Sequence, residues 1–366
     1  MRVLMVSKAL VVGVYQRKLE EIARHHDVEL RLVVPPVWRE SSRSLPYEPL
    51  CTAGYGTRIL PMRLNGHFHL HTYKGLTAVV REFQPDIIHL DEEPGDFVAL
   101  QTTLSMANAR LLFFTWQNLL RWLPLPFRFI QQLTFRKAAL ALCGNRDAVN
   151  VLRVKGYRGR TVVLPQFGFD PDIYAFRTAE PPVNPVTIVG ASGRLVPEKG
   201  FDILLRAIQQ LPHNVHLELV GEGPERGELE RLAVSLGIMD RLRFWGQQPS
   251  HAMPSLYQRW HVFVAPSLTR PRWKEQFNRS VAEAMSCGVP VIVSDSGEMK
   301  NVAGEAGTIV PEGDVSALSY AIDQLIGSKA HRQMASQLGR ARVVRHYSQQ
   351  AVAAQTVTEY RRLLCG

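Results

Sequence analysis

The stretch Val289–Ser294 reads Val-Pro-Val-Ile-Val-Ser, and no other segment constrains the fold as tightly. A strand with one wet face alternates apolar and polar residues. A run without alternation belongs to a strand covered on both faces, the habit of parallel sheets packed between helices. Such runs recur through the chain. In the first half they are Val3–Ser7, Glu29–Val34, Asp86–Leu90, Arg110–Thr115, Leu140–Cys143 and Thr161–Leu164. In the second half Thr187–Gly190, His216–Val220, Arg241–Trp245, Val262–Ala265 and Thr308–Val310 join the opening run. Helical patterns lie between them. Strand–helix alternation over both halves predicts an α/β chain with two doubly wound domains. The 366 residues exceed one comfortable core, which agrees.

The segment Asp170–Pro185 carries Pro171, Pro181, Pro182 and Pro185, which break regular structure. The expected domains are therefore 1–170 and 186–348, joined by a linker at 171–185. Beyond them, Val352, Val357, Tyr360, Leu363 and Leu364 recur near helical spacing and predict a tail helix over 349–364, within a terminal segment 349–366.

Composition narrows the class. No stretch approaches the roughly 20 uncharged apolar residues that span a bilayer. The opening MRVLMVSKALVVGV is broken by Lys8 and reads as a buried strand and its loop, not a leader. Four cysteines without metal-ligand spacing fit free thiols and a cytoplasmic setting. The net charge is +10, and residues 121–160 alone hold nine Lys/Arg against Asp147. Trp122, Phe127, Phe129, Ile130, Leu133 and Phe135 are interleaved with them. Basic and aromatic residues together suit peripheral contact with an anionic membrane, at about 1 kcal/mol per basic residue. A solvated basic face over core aromatics is the plainer alternative. Nucleic acid lacks any supporting motif.

Three segments point to chemistry. In residues 191–208, ASGRLVPEKGFDILLRAI, a strand runs through a glycine loop with Gly193 into a helix opening near Gly200 and Phe201. Arg194 and Lys199 flank that loop. A helix N-terminus and two cations suit a diphosphate, although an Arg and a Lys at a helix start are also common on plain surfaces. In residues 220–233, VGEGPERGELERLA, Gly223 follows a strand, a weak signal by itself. In residues 271–295, Glu275 and Glu283 stand eight apart, with Phe277–Ser280 opening a helix that carries Glu283 on its second turn. Helical glutamates are mostly solvated. Glu283, set among Ala282, Ala284, Met285 and Cys287, is the exception that needs a partner.

In this order and spacing the three segments resemble the retaining GT-B glycosyltransferases of family 4, the glycosyltransferases group 1. Glu275 and Glu283 match the family's E-x7-E motif. The resemblance covers about residues 186–364, including GTIVPEGD at 307–314, and touches the first half in FQPDIIHLDEEP at 83–94. It implies two Rossmann-like domains facing across a cleft, the C-terminal one for a nucleotide-sugar donor and the N-terminal one for the acceptor. The tail helix is implied to cross back to the N-terminal domain. Arg194 and Lys199 match the basic pair on the donor diphosphate. Glu275 matches the carboxylate on the transferred sugar, and Glu283 the one on the ribose. Phe277, Asn278 and Arg279 match the helix start facing phosphate and sugar, with Gly246 and Gln247 lining the nucleobase and Gly13 near the diphosphate. No cofactor and no metal are implied beyond a UDP- or GDP-linked co-substrate.

Three departures stand out. The family's E-G-F-G reads Glu275-Gln276-Phe277-Asn278, and Asn tolerates positive φ better than most residues. The glycine pair of the first loop is reduced to Gly13. Many members carry His-Asp where this chain has Gln117 and Asn118, which hydrogen-bond but do not titrate. His89 with Asp91-Glu92-Glu93 closes another strand and is a candidate for the acceptor side. The expected product is a cell-envelope polysaccharide, lipopolysaccharide or glycolipid, built on a glycan or lipid-linked acceptor at the inner face of the plasma membrane. The alternatives are a nucleotide-sugar epimerase on the same scaffold and a membrane-associated binding protein without catalysis.

Overall fold

The computed structural model describes residues 1–40, 43–181 and 186–365. The chain divides into two compact units, Met1–Gly168 with Gln349–Gly366, and Phe169–Ser348. Pro182 and Pro185 of the expected linker lie outside the described residues. The rest of that linker packs onto the second unit. Tyr174 is buried there, and the Arg177 Nη1 donates to the Trp260 carbonyl at 2.8 Å.

The first unit is built on a seven-stranded, wholly parallel sheet. Its edge-to-edge order is Arg160–Val163, Ala138–Cys143, Arg110–Thr115, Ile87–Leu90, Arg2–Val6, Glu29–Val34, Gly56–Ile59. Counted along the chain this is 7-6-5-4-1-2-3, so the order reverses between Arg2–Val6 and Ile87–Leu90. Loops at the carboxyl ends of such strands are where open α/β sheets bind ligands. The strands expected from the sequence are all present, with ends shifted by a residue or two. Gly56–Ile59 was not expected, because its Gly-Thr-Arg-Ile is polar and mostly exposed, as suits an edge strand. Two short antiparallel ribbons, Val37–Glu40 with Arg43–Pro46 and Met62–Arg63 with Thr72–Tyr73, also escape the periodicity. The tail helix Gln349–Cys365 belongs to this unit. It buries Val352, Ala353, Val357 and Tyr360 in one core with Val3, Met5, Leu19 and Ile22.

The second unit holds a six-stranded parallel sheet in the order Leu242–Phe244, Val215–Val220, Thr187–Ser192, Val262–Ala265, Val291–Ser294, Thr308–Val310. Counted from its own first strand this is 3-2-1-4-5-6, the Rossmann order, with its reversal between Thr187–Ser192 and Val262–Ala265. The helix Phe201–Gln209 places Phe201, Leu204, Leu205 and Ile208 on one face and buries all four, as the spacing predicts. Asp314 caps Val315–Gly327 by accepting the Ala317 N–H at 2.8 Å.

Candidate donor site in the second unit

The two loops at the reversal point meet. Gly200 opens the helix at φ 64°, and a Cβ there would lie 2.1 Å from the Pro266 carbonyl oxygen. Only a glycine fits that close a crossing. It brings Lys199, on the loop after the first strand, against Glu275, on the loop after the fourth. Their Nζ and Oε2 are 2.6 Å apart. The same oxygen accepts from the Ser267 hydroxyl at 3.1 Å and from the Asn278 Nδ2 at 3.3 Å. Glu275 is buried, so one carboxylate oxygen gathers three donors in a dry place, where charge-assisted bonds are strong. The Lys199 ammonium also lies 5.3 Å from the centre of the Trp273 ring.

Asn278 precedes the helix Arg279–Ser286 with φ 58° and ψ 81°. It takes the left-handed conformation without a glycine, at the position where the family motif has one. Glu283 has the partners its burial demands. Arg279, one turn earlier, gives its Nε to Oε1 at 2.7 Å, and the Tyr257 hydroxyl donates to Oε2 at 2.9 Å. Burial, with Glu283 adjacent, pushes the Tyr257 hydroxyl well above its ordinary range, so it stays a donor. Phe277 is half-buried, edge-on to Tyr347 at 5.3 Å.

Arg194 is exposed, and its guanidinium has no partner among the described residues. Gly193 packs against Lys199: a Cβ there would sit 3.5 Å from the Lys199 Cε. Gly223 is pinned by the Leu195 carbonyl oxygen, 2.3 Å from a would-be Cβ. Gly246 adopts φ 68° and accepts the Gly221 N–H at 2.9 Å, with Gln247 exposed beside it. The structure thus brings Lys199, Glu275 and Asn278 into one bonded group, with Arg279 and Glu283 at the adjoining helix start.

Sequence reasoning missed Ser267, Tyr257 and Gly297. Gly297, at φ 56°, would drive a Cβ to 2.0 Å from the Glu275 carbonyl oxygen. The Glu298 N–H donates to that same oxygen at 3.2 Å. Only the Ala-Pro-Ser ending of a strand hinted at Ser267.

Gly13, Gln117, Asn118 and His89 all lie in the first unit. Gly13 has a local reason to be glycine, since a Cβ would meet Leu50 Cβ at 2.7 Å. Gln117 accepts from the Lys155 ammonium at 2.7 Å, and Asn118 is buried. His89 requires a correction. It is fully buried, its Nδ1 is 2.6 Å from the Tyr360 hydroxyl of the tail helix, and burial depresses its pKa well below the usual range. It is a core residue, not an acceptor contact.

The basic segment also resolves into parts. Lys155 is buried on Gln117, Arg160 pairs with Glu359 at 2.7 Å, and Arg153 holds the carbonyls of Tyr157 and Gly159. Ile130 and Phe135 are core. Trp122, Leu125, Phe129, Arg128, Arg136 and Lys137 remain exposed. No helix is long and apolar enough to cross a membrane, among the described residues.

The chain's one Asp-x-Asp spacing, Asp170-Pro171-Asp172, forms a local turn in which Asp170 Oδ1 accepts the Asp172 N–H at 2.9 Å. In the first unit, His71, Glu92 and Asp96 place nitrogen and oxygen atoms within 4.8 Å of one another. That crevice already holds a cation of the protein's own, Lys8, paired with Glu92.

Residues 175–342 match the model of the glycosyl transferases group 1. The second unit belongs to that family. Among its relatives are the GDP-mannose-dependent alpha-(1-6)-phosphatidylinositol monomannoside mannosyltransferase of Mycolicibacterium smegmatis and the lipopolysaccharide core biosynthesis glycosyltransferase LpsE of Rhizobium meliloti. The first is 32% identical over 168 residues, 44% of this chain and 44% of that protein. The second is 32% identical over 167 residues, 45% and 47% of the two. The chain thus spans under half the length of these relatives. Over the whole chain the fold resembles the GT-B structure of HepE from Anabaena in complex with UDP, with TM-score 0.75, 19% identity, and 99% and 100% of the two chains covered. It also resembles sucrose-phosphate synthase from Thermosynechococcus elongatus, with TM-score 0.72, 21% identity, and 100% and 99% covered.

Proposed function

We propose that this protein is a retaining, metal-independent glycosyltransferase. It takes a sugar from a UDP- or GDP-linked donor and places it on a hydroxyl of a glycan or lipid-linked acceptor in envelope polysaccharide, lipopolysaccharide or glycolipid synthesis. The observation that carries this reading is the Lys199–Glu275 pair at the strand-order reversal of a group 1 domain, with Arg194 exposed nearby. Arg194 and Lys199 neutralise the diphosphate as the sugar leaves. Glu275 accepts hydrogen bonds from sugar hydroxyls, and Glu283 from the ribose. The turn at Gly246 and Gln247 receives the base. The leaving diphosphate takes the acceptor proton on the same face, so rate arises from positioning and from preorganised cations. Two relatives named for mannosyl and lipopolysaccharide core transfer, and HepE crystallised with UDP, support the donor and product classes.

The deciding experiment is nucleoside diphosphate release over a panel of nucleotide sugars. Release that persists at wild-type rate in both Lys199→Ala and Glu275→Ala would sink the site, and no release with any donor would favour a non-catalytic binding protein. Product anomers read by NMR test retention, and full activity in EDTA tests metal independence.

The exposed Trp122, Leu125 and Phe129, set with Arg128, Arg136 and Lys137, support peripheral contact with the anionic cytoplasmic leaflet. Co-sedimentation with phosphatidylglycerol vesicles but not with phosphatidylcholine vesicles is expected. Indifference to lipid charge would refute it.

A further inference from the structure

The first unit has its own strand-order reversal, and the loops there carry a polar group that the donor site does not use. Lys8 follows Arg2–Val6, and Glu92 and Asp96 follow Ile87–Leu90. His69 joins them from the segment before Thr72–Tyr73. Its Nδ1 is 2.7 Å from the Asp96 Oδ1, and Asp96 is buried. Asp96 is the N-cap residue of the helix Phe97–Ser105, yet its carboxylate makes no capping bond. An aspartate at that position ordinarily accepts first-turn amides. Here it turns to the imidazole instead. The main chain repeats the tie, for the Phe97 N–H donates to the His69 carbonyl at 2.9 Å. The His69 ring also packs on Phe127, with centres 5.3 Å apart.

The ring is therefore held by a carboxylate, a backbone bond and an aromatic face, and its side chain is still 49% exposed. The bond to Asp96 raises the His69 pKa, and in its neutral form, with Nδ1–H given to Asp96, the ring presents a lone pair at Nε2, on the edge away from the carboxylate. That nitrogen has no partner among the described residues. In the same crevice the fully buried His71 turns its Nε2 to Glu92 Oε2, 3.6 Å away. The exposed Phe68 stands edge to face with the buried Trp38, 5.4 Å apart, with the Lys8 ammonium 5.7 and 5.3 Å from their centres. Aromatic faces beside a few oriented polar atoms are what a sugar ring binds to. A carboxylate that fixes one imidazole nitrogen so the other meets a hydroxyl is a recurrent catalytic arrangement.

We propose that His69, oriented by Asp96, binds the acceptor sugar, its Nε2 accepting a hydrogen bond from a sugar hydroxyl beside the one that is glycosylated. Gln117, committed to Lys155, does not fill that place. The inference rests on the glycosyltransferase reading, and the test separates the two. The full chain is assayed with UDP-glucose and GDP-mannose, with and without a pool of methyl glycosides of glucose, galactose, mannose and N-acetylglucosamine. In His69→Ala the KM for the pool rises about tenfold while the donor KM stays within twofold. His69→Gln, which keeps an acceptor atom, recovers part of the loss, and Asp96→Asn lies between. Unchanged acceptor KM in His69→Ala, equal losses in donor and acceptor KM, or a wild-type protein that turns over donor but ignores the pool would each overturn the assignment. No turnover of either donor by the wild type would instead overturn the glycosyltransferase reading beneath it.

Discussion

The Lys199 ammonium sits 2.6 Å from the Glu275 carboxylate, so the residue assigned to the diphosphate is already spent on the residue assigned to the sugar. The two are one electrostatic unit. A donor arriving there must share Lys199 between its phosphate and Glu275. The arrangement gives the buried Glu275 carboxylate a cationic partner and holds Lys199 in position before substrate binds.

That coupling makes the two variants non-additive. Removing a preorganised charge at a reacting centre costs roughly 10²–10³ in rate. Lys199→Ala and Glu275→Ala are each expected to lose about that much in kcat/KM. The double variant loses little more, because each single change already dismantles the pair. Steady-state kinetics on the three variants check this, and a double variant equal to the product of the singles would break the coupling.

Glu283 yields a prediction about stability and donor affinity together. Its Oε2 depends on the Tyr257 hydroxyl, which is wholly buried. Tyr257→Phe leaves a buried carboxylate oxygen short of a donor, at about 1–3 kcal/mol. The chain should unfold at lower denaturant concentration, and the nucleotide KM should rise if Glu283 meets the ribose. Unfolding curves and nucleotide titrations read the two effects separately.

Much of this was legible beforehand, and the physical reason is local. Long apolar runs such as Val289–Ser294 announce buried parallel strands because both faces must be covered. Glycine and charge patterns at strand ends likewise mark Arg194, Lys199 and Glu275. What stayed hidden depends on contacts distant in sequence. His89 reads as a polar strand end until Tyr360, 271 residues on, arrives on the tail helix and seals it in the core. Ser267 matters only because its own loop doubles back onto Glu275, and Gly297 because a separate loop packs against the Glu275 carbonyl. His69 gave no signal, since nothing in its own segment foretells Asp96. The polar edge strand Gly56–Ile59 shows no apolar alternation to find.

Asn278 separates backbone from side-chain effects. Its φ of 58° suits glycine, while its Nδ2 reaches Glu275. Asn278→Gly keeps the backbone and loses that bond, so the fold should hold and the preference among donor sugars should shift. Asn278→Val adds a branched side chain in the left-handed region and should cost stability outright. Melting temperature together with a donor panel distinguishes them. A valine variant as stable as the glycine variant would refute the backbone argument.

The first unit should carry an acid-sensitive term centred on Glu92. Burial alone would raise this carboxyl, but the Lys8 ammonium and then His71 more than offset it, and it settles at about 2, down from 4.5. A carboxyl depressed in the fold stabilises the protein above its unfolded pKa. That stability drains away as pH falls from about 4.5 towards 2, because the unfolded chain binds the proton first. The contribution at neutral pH is on the order of 3 kcal/mol. Asp91 and Glu93 act in the opposite sense, since burial raises both carboxyls and acid relieves their cost. Glu92→Gln isolates the term. It should be less stable than the wild type at pH 7, where Lys8 loses its nearest counter-charge, and it should lose less further stability between pH 5 and pH 3. Urea unfolding of both proteins across that range reads the difference directly, and parallel losses would show that the Lys8–Glu92 pair does not govern acid stability.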